Sequence, residues 1–170
     1  LAAAAVGLLL GETPALIAQG LVSYQASGMR QNIYEQDGYH IYADCYNASP
    51  DAMEATLSVL GGMAGDGRRF AVLGSMLELG DYAEEGHRRA GRAAAQYADA
   101  LYAYGPDAAA MVAGAREKGM EHAYAFDDQT ALVAALREDA KKGDALLFKG
   151  SRGMRMERAL AMFLGEEVEA

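Results

Sequence analysis

The sequence predicts an α/β fold: a Rossmann-like, mostly parallel sheet with helices on both faces, preceded by a helical segment and a β-hairpin. Three observations lead to this prediction. Beyond residue 39, short apolar strand-like runs alternate with longer helix-like segments, which is the pattern of βαβ crossovers. The chain has 170 residues, enough for one domain with a sizeable core and part of another. No internal repeat or low-complexity segment interrupts the pattern.

The chain begins with two helix-like segments. In LAAAAVGLLLGETPALIAQGLVSY, apolar residues recur at helical spacing, Gly11 suits the end of a first helix, and Thr13 and Pro14 suit the start of a second. The apolar run at 1–10 is too short to span a bilayer and no basic stretch precedes it, so neither export nor membrane insertion is expected. Because the chain opens on Leu1 inside this run, we expect it to be a piece of a longer polypeptide.

A β-hairpin is expected next, because the apolar period changes after the helical segment. A short apolar run precedes Asp37-Gly38, which is a two-residue turn signal, and an apolar strand follows at 39–44. The boundary between the helical segment and the sheet domain is therefore expected between Tyr24 and Tyr39.

The later elements follow from apolar runs bounded by capping and turn residues. Strands are expected at 68–74, 99–105, 121–126 and 144–150, and helices at 50–63, 81–98, 106–119, 127–143 and 154–167. In such a sheet, ligands bind at the carboxyl ends of the strands, where the loops run into helix N-termini. Candidate functional residues are therefore sought at these junctions.

The amino-acid composition limits the kinds of molecule that this chain is expected to bind. The formal net charge is −9 and the pI is about 4.8, which disfavours nucleic acid and anionic membranes because both are bound through clustered Lys and Arg. A small molecule or a protein is the expected partner. A single cysteine and three scattered histidines exclude an intrachain disulfide framework and supply no metal-ligand spacing, in agreement with a cytoplasmic location.

Polar side chains concentrate where the strand at 39–44 runs into the next helix, in DCYNASP. Ser49 or Asn47 can cap that helix and Pro50 suits its first turn, so a capping loop explains part of the pattern. Asp44 is not needed for capping, and a carboxylate at a strand end can hold ribose hydroxyls or a metal-bound ligand. A structural and a functional interpretation of this loop both remain open.

A second junction, VLGSMLELGDYAEEGH, has an ordinary structural explanation. Its glycines permit turns, and Asp81 is expected to cap the following helix. Glu84 and Glu85 are expected to pair with Arg88 and Arg89 at i,i+4 spacing. His87 is expected to be a solvated helix residue.

The third junction, FKGSRG, places Lys149, Ser151 and Arg152 around glycines at the end of a strand. Two cations and a hydroxyl can form a cradle for a carboxylate or a phosphate. The alternative is a solvated basic loop on an acidic protein.

The lone cysteine, Cys45, is expected to be buried and inert. A thiol nucleophile needs a base within reach. His40 lies five residues away on the same strand, and this odd spacing directs its side chain to the opposite face.

Three longer motifs occur in the order DCYNASPDAM, VLGSMLELG and KGSRGMRME. They resemble the D-x-Y-N-A-x-P-x-S/A-M, V-L-G-D-M-x-E-L-G and K-G-S-R-x-x-x-M-E patterns of the Mur ligase family, in its branch that adds D-alanyl-D-alanine to UDP-N-acetylmuramoyl-tripeptide in peptidoglycan synthesis. LAAAAVGLLLG and GMR upstream extend the resemblance over nearly the whole chain.

The resemblance implies a division of the chain into two parts. Residues 1–25 would be the C-terminal helical end of a central ATPase domain, and residues 26–170 the C-terminal Rossmann-like domain. ATP and Mg²⁺ would be held mainly by the central domain, because nothing in this chain matches the P-loop pattern G-x-x-x-x-G-K-S/T. The chain is therefore expected to be inactive alone and to work with its own central domain.

The resemblance also implies which residues meet the nucleotide. In this family ATP phosphorylates the terminal carboxylate of the UDP-linked peptide, and the incoming amine attacks the acyl phosphate. Arg30 would reach the nucleotide as a cation when the domains close, and Asp44 would bind its ribose hydroxyls. Asn47 would line the same interdomain cleft.

On the dipeptide side, the resemblance implies that Lys149, Ser151 and Arg152 lie near the incoming D-alanyl-D-alanine, with the cations available to its carboxylate. Ser75 stands where the family pattern has Asp, so no function is assigned to position 75. Glu78 is kept as a further candidate.

Two kinds of alternative are open. Another Mur-type ligase, or folylpolyglutamate synthase, would differ after the strand-end Asp and would lack the K-G-S-R signature. A non-catalytic α/β nucleotide-binding module is the alternative from another class, although a dinucleotide-binding Rossmann domain would carry G-x-G-x-x-G where this chain has DCYNAS.

Overall fold

The sheet confirms the predicted fold class. The computed structural model describes residues 2–23, 30–63 and 65–166. The strands in those ranges are β1 (Asn32–Gln36), β2 (Tyr39–Asp44), β3 (Arg69–Gly74), β4 (Ala100–Tyr104), β5 (Ala123–Phe126) and β6 (Ala145–Lys149). They form one sheet in the order β1-β2-β6-β3-β4-β5, in which β1 and β2 pair antiparallel as the predicted hairpin and the other neighbours are parallel.

The helices cover both faces of this sheet, as predicted. They are α1 (Ala2–Leu9), α2 (Pro14–Val22), α3 (Pro50–Met63), α4 (Ala83–Tyr97), α5 (Ala108–Glu117), α6 (Gln129–Asp139) and α7 (Met156–Leu164). One core cluster joins α3, α4 and α5 to one face of the sheet, and a second joins α6 and α7 to the other. The crossover helices therefore lie on opposite faces, depending on the direction in which the chain crosses the sheet.

The first two helices pack against each other and begin and end as the sequence predicts. Gly11 adopts a left-handed conformation with φ of +84° beyond the end of α1, and the Thr13 hydroxyl accepts a hydrogen bond from the Leu16 amide at 3.3 Å to cap α2. The predicted domain boundary begins at residues 24–29, which lie outside the described residues. No helix in the described part of the chain combines the length and apolar character needed to cross a membrane.

The strands at the centre of the sheet are buried on both sides. Ile41 and Phe148 pack under α6 and α7, while Tyr42 and Leu147 pack under α3 to α5. All five residues of β6 are buried, including its last residue, Lys149. Burial on both faces follows from the crossover helices and explains why these strands read as continuous apolar runs.

Two expectations for α4 are wrong. The chain enters α4 through a short 3₁₀ turn at Gly80–Tyr82, and no side chain caps the helix, so Asp81 does not have the predicted role. Arg88 pairs with Glu84 at 3.2 Å as predicted, but Arg89 pairs with Glu54 and Asp51 and not with Glu85. The reason is tertiary: α3 packs beside α4 and brings its carboxylates within reach of the guanidinium.

Candidate functional site

The candidate site lies at the carboxyl ends of β2 and β6, which are neighbours in the sheet. The helix that follows β2 packs on one face, and the helix that follows β6 packs on the other. The segments that follow these two strands therefore turn to opposite faces of the sheet and leave a crevice between the strand ends. This is a topological switch point, the place where open α/β sheets bind their ligands.

A pocket of about 320 Å³ occupies this crevice. It is polar, and six residues from three nearby segments line it: Arg30, Gln31, Asp44, Tyr46, Asn47 and Lys149. The structure therefore brings together the three residues assigned to the nucleotide with one of those assigned to the dipeptide.

Asp44 and Lys149 form a buried ion pair at the base of the pocket. They are register partners across the parallel β2–β6 pair, and the Lys149 ammonium donates to Asp44 Oδ2 at 2.5 Å and to the Asn47 carbonyl at 2.9 Å. The Lys149 side chain is only 2% exposed. The other carboxylate oxygen of Asp44 accepts a hydrogen bond from the Gln31 amide at 3.3 Å.

Arg30 and Tyr46 form the outer wall of the pocket. The guanidinium carbon of Arg30 lies 4.0 Å from the centre of the Tyr46 ring, within the range of a cation–π contact. Both residues are exposed, so the guanidinium remains accessible at the mouth of the pocket. An arginine held against an aromatic ring is well placed to bind a phosphate without losing much further side-chain entropy.

The loop after β2 also begins α3, as the structural interpretation predicts. The Ser49 hydroxyl accepts a hydrogen bond from the Ala52 amide at 3.4 Å, so Ser49, of the two candidates, takes the capping position. The Asn47 side-chain oxygen instead accepts from the Ala48 amide at 2.9 Å. The same loop therefore supplies both a helix start and one side of the pocket.

Ser151 lies outside the pocket and connects two loops. Its hydroxyl accepts a hydrogen bond from the Leu77 amide at 2.9 Å, and its own amide donates to the Ser75 carbonyl at 3.2 Å. The Ser75 hydroxyl in turn accepts from the Asp107 amide at 3.0 Å. A serine at position 75 thus fastens the loops after β3 and β4 to each other.

The expectation that His87 is solvated is wrong. Its ring is fully buried, and Nε2 accepts a hydrogen bond from the Met76 amide at 2.8 Å while Nδ1 lies 2.6 Å from the Ala83 carbonyl. The ring can satisfy both partners only as the neutral tautomer with its proton on Nδ1. The loop after β3 folds back over α4, which places this position inside the protein.

Arg152 and Glu78 also lie outside the pocket. Arg152 is about half exposed and pairs with Glu157 at 2.5 Å. Glu78 is exposed and has a left-handed backbone with φ of +66°. The basic cradle expected from Lys149 and Arg152 together is not formed in this structure, because each cation pairs with a different carboxylate.

Cys45 is buried, as predicted. Its side chain is packed in the core, and its thiol donates a weak hydrogen bond to the Phe148 carbonyl at 3.4 Å. Burial raises the pKa of the thiol to about 12, and the nearby carboxylates of Glu157 and Asp44 act in the same direction. The neutral thiol has no role in nucleophilic chemistry at ordinary pH.

No residues within 2–23, 30–63 and 65–166 form a cluster of three or more His, Cys, Asp or Glu side chains able to hold a metal ion. The pocket instead offers one carboxylate paired with a buried ammonium, two side-chain amides and one accessible guanidinium. Sequence reasoning missed Gln31 and Tyr46 as pocket residues. The only sequence signal for Tyr46 was its place within the DCYNASP motif.

Comparison with known proteins gives one consistent family. The model of the Mur ligase glutamate ligase domain matches residues 29–152. The UDP-N-acetylmuramoyl-tripeptide–D-alanyl-D-alanine ligase of Bacillus subtilis is 36% identical over 160 residues, which cover 92% of this chain and 35% of that protein.

Solved structures agree with this result. The MurF ligase of Thermotoga maritima in complex with ADP superposes with a TM-score of 0.78 at 33% identity, over 95% of this chain and 36% of that one. A MurF structure from Acinetobacter baumannii gives a TM-score of 0.81 at 29% identity, over 95% and 35%. The chain therefore spans about a third of the length of these relatives.

Proposed function

The chain belongs to the Mur ligase family, and on this premise we propose that it is the C-terminal domain of an ATP-dependent ligase that joins D-alanyl-D-alanine to UDP-N-acetylmuramoyl-tripeptide. The named relatives that cover more than nine-tenths of the chain include the Bacillus subtilis ligase of this specificity. The observation that carries the proposal is the polar pocket at the switch point, in which Arg30, Asp44 and Asn47 converge.

We propose that this pocket receives part of the nucleotide. The accessible guanidinium of Arg30 would bind phosphate oxygens, and Asp44 would accept hydrogen bonds from ribose hydroxyls through the oxygen that now accepts from Gln31. A crystal structure of the Thermotoga maritima relative with ADP supports nucleotide use by proteins of this kind.

The proposed reaction has two steps. The terminal carboxylate of the tripeptide attacks the γ-phosphorus of ATP and ADP leaves, which forms an acyl phosphate. The amine of D-alanyl-D-alanine then attacks the acyl carbon, and phosphate leaves with formation of the amide bond. This chemistry depends on positioning and charge neutralisation, which a domain that closes over the nucleotide can supply.

The proposal assigns the remaining parts of the enzyme to the longer protein. Residues 1–25 would end a central ATPase domain that holds most of the ATP and any Mg²⁺, while residues 26–170 would form the closing domain. The protein would act in the cytoplasm, in agreement with its single cysteine, and the isolated chain would be inactive.

On the dipeptide side, we propose that Ser151, Arg152 and Glu78 face the incoming substrate. These residues follow β6 and β3 at the same edge of the sheet as the pocket. Arg152 would exchange its partner Glu157 for the substrate carboxylate.

The test is phosphate release by the full-length protein supplied with ATP, magnesium and UDP-linked tripeptide, with and without D-alanyl-D-alanine. Release that requires the dipeptide supports the proposal; release that requires a single amino acid would assign a different Mur-type reaction, and no release with any amine would favour a non-catalytic module.

Two variants then test the nucleotide site. Arg30→Ala and Asp44→Ala should each raise the KM for ATP about tenfold or more, because each removes a charge-assisted hydrogen bond of about 1.5–3 kcal/mol. Asp66→Ala is the matched control. Asp66 is exposed in the turn before β3, at the amino end of that strand, whereas the pocket lies at the carboxyl ends of the strands. An unchanged KM for ATP in both site variants would refute the assignment.

A further inference from the structure

Lys149 does not have the environment of a substrate-binding cation. Its side chain is 2% exposed, and its ammonium donates to Asp44 Oδ2 and to the Asn47 carbonyl at 2.5 and 2.9 Å. The first partner ends β2 and the second lies in the loop after it, and both belong to the nucleotide side of the pocket. Two of the three N–H groups of this ammonium are therefore used by residues on the nucleotide side, and its burial leaves little surface for a dipeptide carboxylate.

The position of this lysine follows from the sheet. Asp44 and Lys149 end neighbouring parallel strands in register, and both alternate onto the face that carries α3. Neighbouring strands lie about 4.8 Å apart, so a carboxylate and an extended lysine at these positions meet directly. The pairing is built into the sheet and does not depend on a mobile loop.

The ion pair between Asp44 and Lys149 also determines which carboxylate oxygen of Asp44 is available to a ligand in the pocket. Oδ2 is held by Lys149, and Oδ1 accepts a long hydrogen bond of 3.3 Å from the Gln31 amide beside the pocket. The second bond of Lys149, to the Asn47 carbonyl, holds the loop that carries Asn47 against the same strand end. One ammonium therefore fixes two residues of the proposed nucleotide site.

We infer that Lys149 is a positioning residue of the nucleotide site, which holds Asp44 and Asn47 in the geometry that binds the ribose, and that it is not a ligand of the dipeptide. This inference rests on the proposed function and replaces the dipeptide role that the family resemblance implied for Lys149. The chemical class recognised at the pocket is a ribonucleotide with adjacent ribose hydroxyls.

The test compares nucleotide and dipeptide binding in the full-length protein. Lys149→Gln should weaken ADP binding, measured by calorimetry, about tenfold or more, and should change the KM for D-alanyl-D-alanine less than twofold. Lys118→Gln, at an exposed lysine just after α5, is the matched control and should change neither. A larger effect on the dipeptide than on ADP, or equal effects on both, would overturn the inference.

A double variant separates positioning from a purely structural role. Asp44→Asn and Lys149→Gln together replace the buried charges by two neutral amides, which avoids the cost of leaving one charge unpaired. If Lys149 acts through Asp44 and Asn47, the loss of ADP affinity in the double variant should be clearly smaller than the sum of the losses in Asp44→Asn and Lys149→Gln. Additive losses would contradict the inference.

The two proposals can fail independently. ADP binding is measured without the dipeptide, so the role of Lys149 is tested even if the ligase accepts another amine. Dipeptide-dependent phosphate release by the unaltered protein tests the proposed function without reference to Lys149.

Discussion

Gly91→Ala should destabilise the protein, because Gly91 lies where α4 and α5 are in close contact. A Cβ built on Gly91 would lie 1.9 Å from the Met111 carbonyl oxygen and 2.9 Å from the Ala115 amide nitrogen. The contact is reciprocal, because a Cβ on Gly114 would lie 2.0 Å from the Arg88 carbonyl oxygen. All these atoms belong to the backbone, so no rotation of a side chain can relieve the overlap.

The expected cost of Gly91→Ala follows from these distances. Real Cβ contacts below 3.0 Å are essentially absent, so the helices must separate by at least about 1.1 Å, the difference between 3.0 and 1.9 Å. Overpacking of this kind costs about 1–3 kcal/mol or more, while alanine gains about 1 kcal/mol over glycine in helix propensity. Because the overlap is with backbone atoms, we take the cost at the upper end of that range, about 3 kcal/mol. The expected net loss in the free energy of unfolding is then about 2 kcal/mol.

Gly62→Ala is the matched control. Gly62 lies in α3, is exposed, and would place its Cβ with no atom within 4 Å, so the same substitution should stabilise the protein by about 0.5–1 kcal/mol. Urea unfolding followed by circular dichroism measures both values, at an unchanged m-value. A Gly91→Ala protein as stable as the unaltered chain would refute the reasoning.

Two further predictions follow from ionisation. With its pKa raised to about 12 and its side chain buried, Cys45 should react with an aromatic disulfide at pH 8 about a thousandfold more slowly in the native protein than in denaturant; rapid native labelling would contradict this. The Arg69 guanidinium donates two hydrogen bonds to the Asp99 carboxylate and lowers the pKa of Asp99. The stabilisation from ionised Asp99 is therefore present above the unfolded pKa of about 3.9 and is lost as the pH falls through the lower folded value. The stability gap between the unaltered protein and Asp99→Asn should therefore close below about pH 4, and a gap that stays constant from pH 6 to pH 3 would argue against it.

The sequence predicted the fold because each element carries a local signal. The apolar run before Asp44 and the Ser49-Pro50 pair mark the end of β2 and the start of α3 at Pro50–Met63, as observed. The same holds for the Asp37-Gly38 turn, where both residues adopt positive φ in the β1–β2 hairpin. The hydrophobic period, the helix caps and the turns each depend on a few neighbouring residues, so they can be identified from the sequence.

Contacts between distant segments were not predicted from the sequence. His87 follows two acidic residues in a polar stretch, yet it is buried because the loop carrying Met76 folds over it. Arg89 lies one helical turn from Glu85, yet its partners Glu54 and Asp51 come from α3. Such partners depend on which helices are neighbours, and local spacing does not contain that information.

The sequence by itself predicted the α/β class and nearly all element positions, and its motifs pointed to four of the six residues that line the pocket, Arg30, Asp44, Asn47 and Lys149. Only the tertiary structure decided that Lys149 belongs with Asp44 in the pocket while Ser151, two residues later, fastens the loop at Leu77. The reason is that β6 inserts between β2 and β3. Strand order is set by the packing of all the crossovers together, so the neighbours of a strand end exist only in the folded sheet.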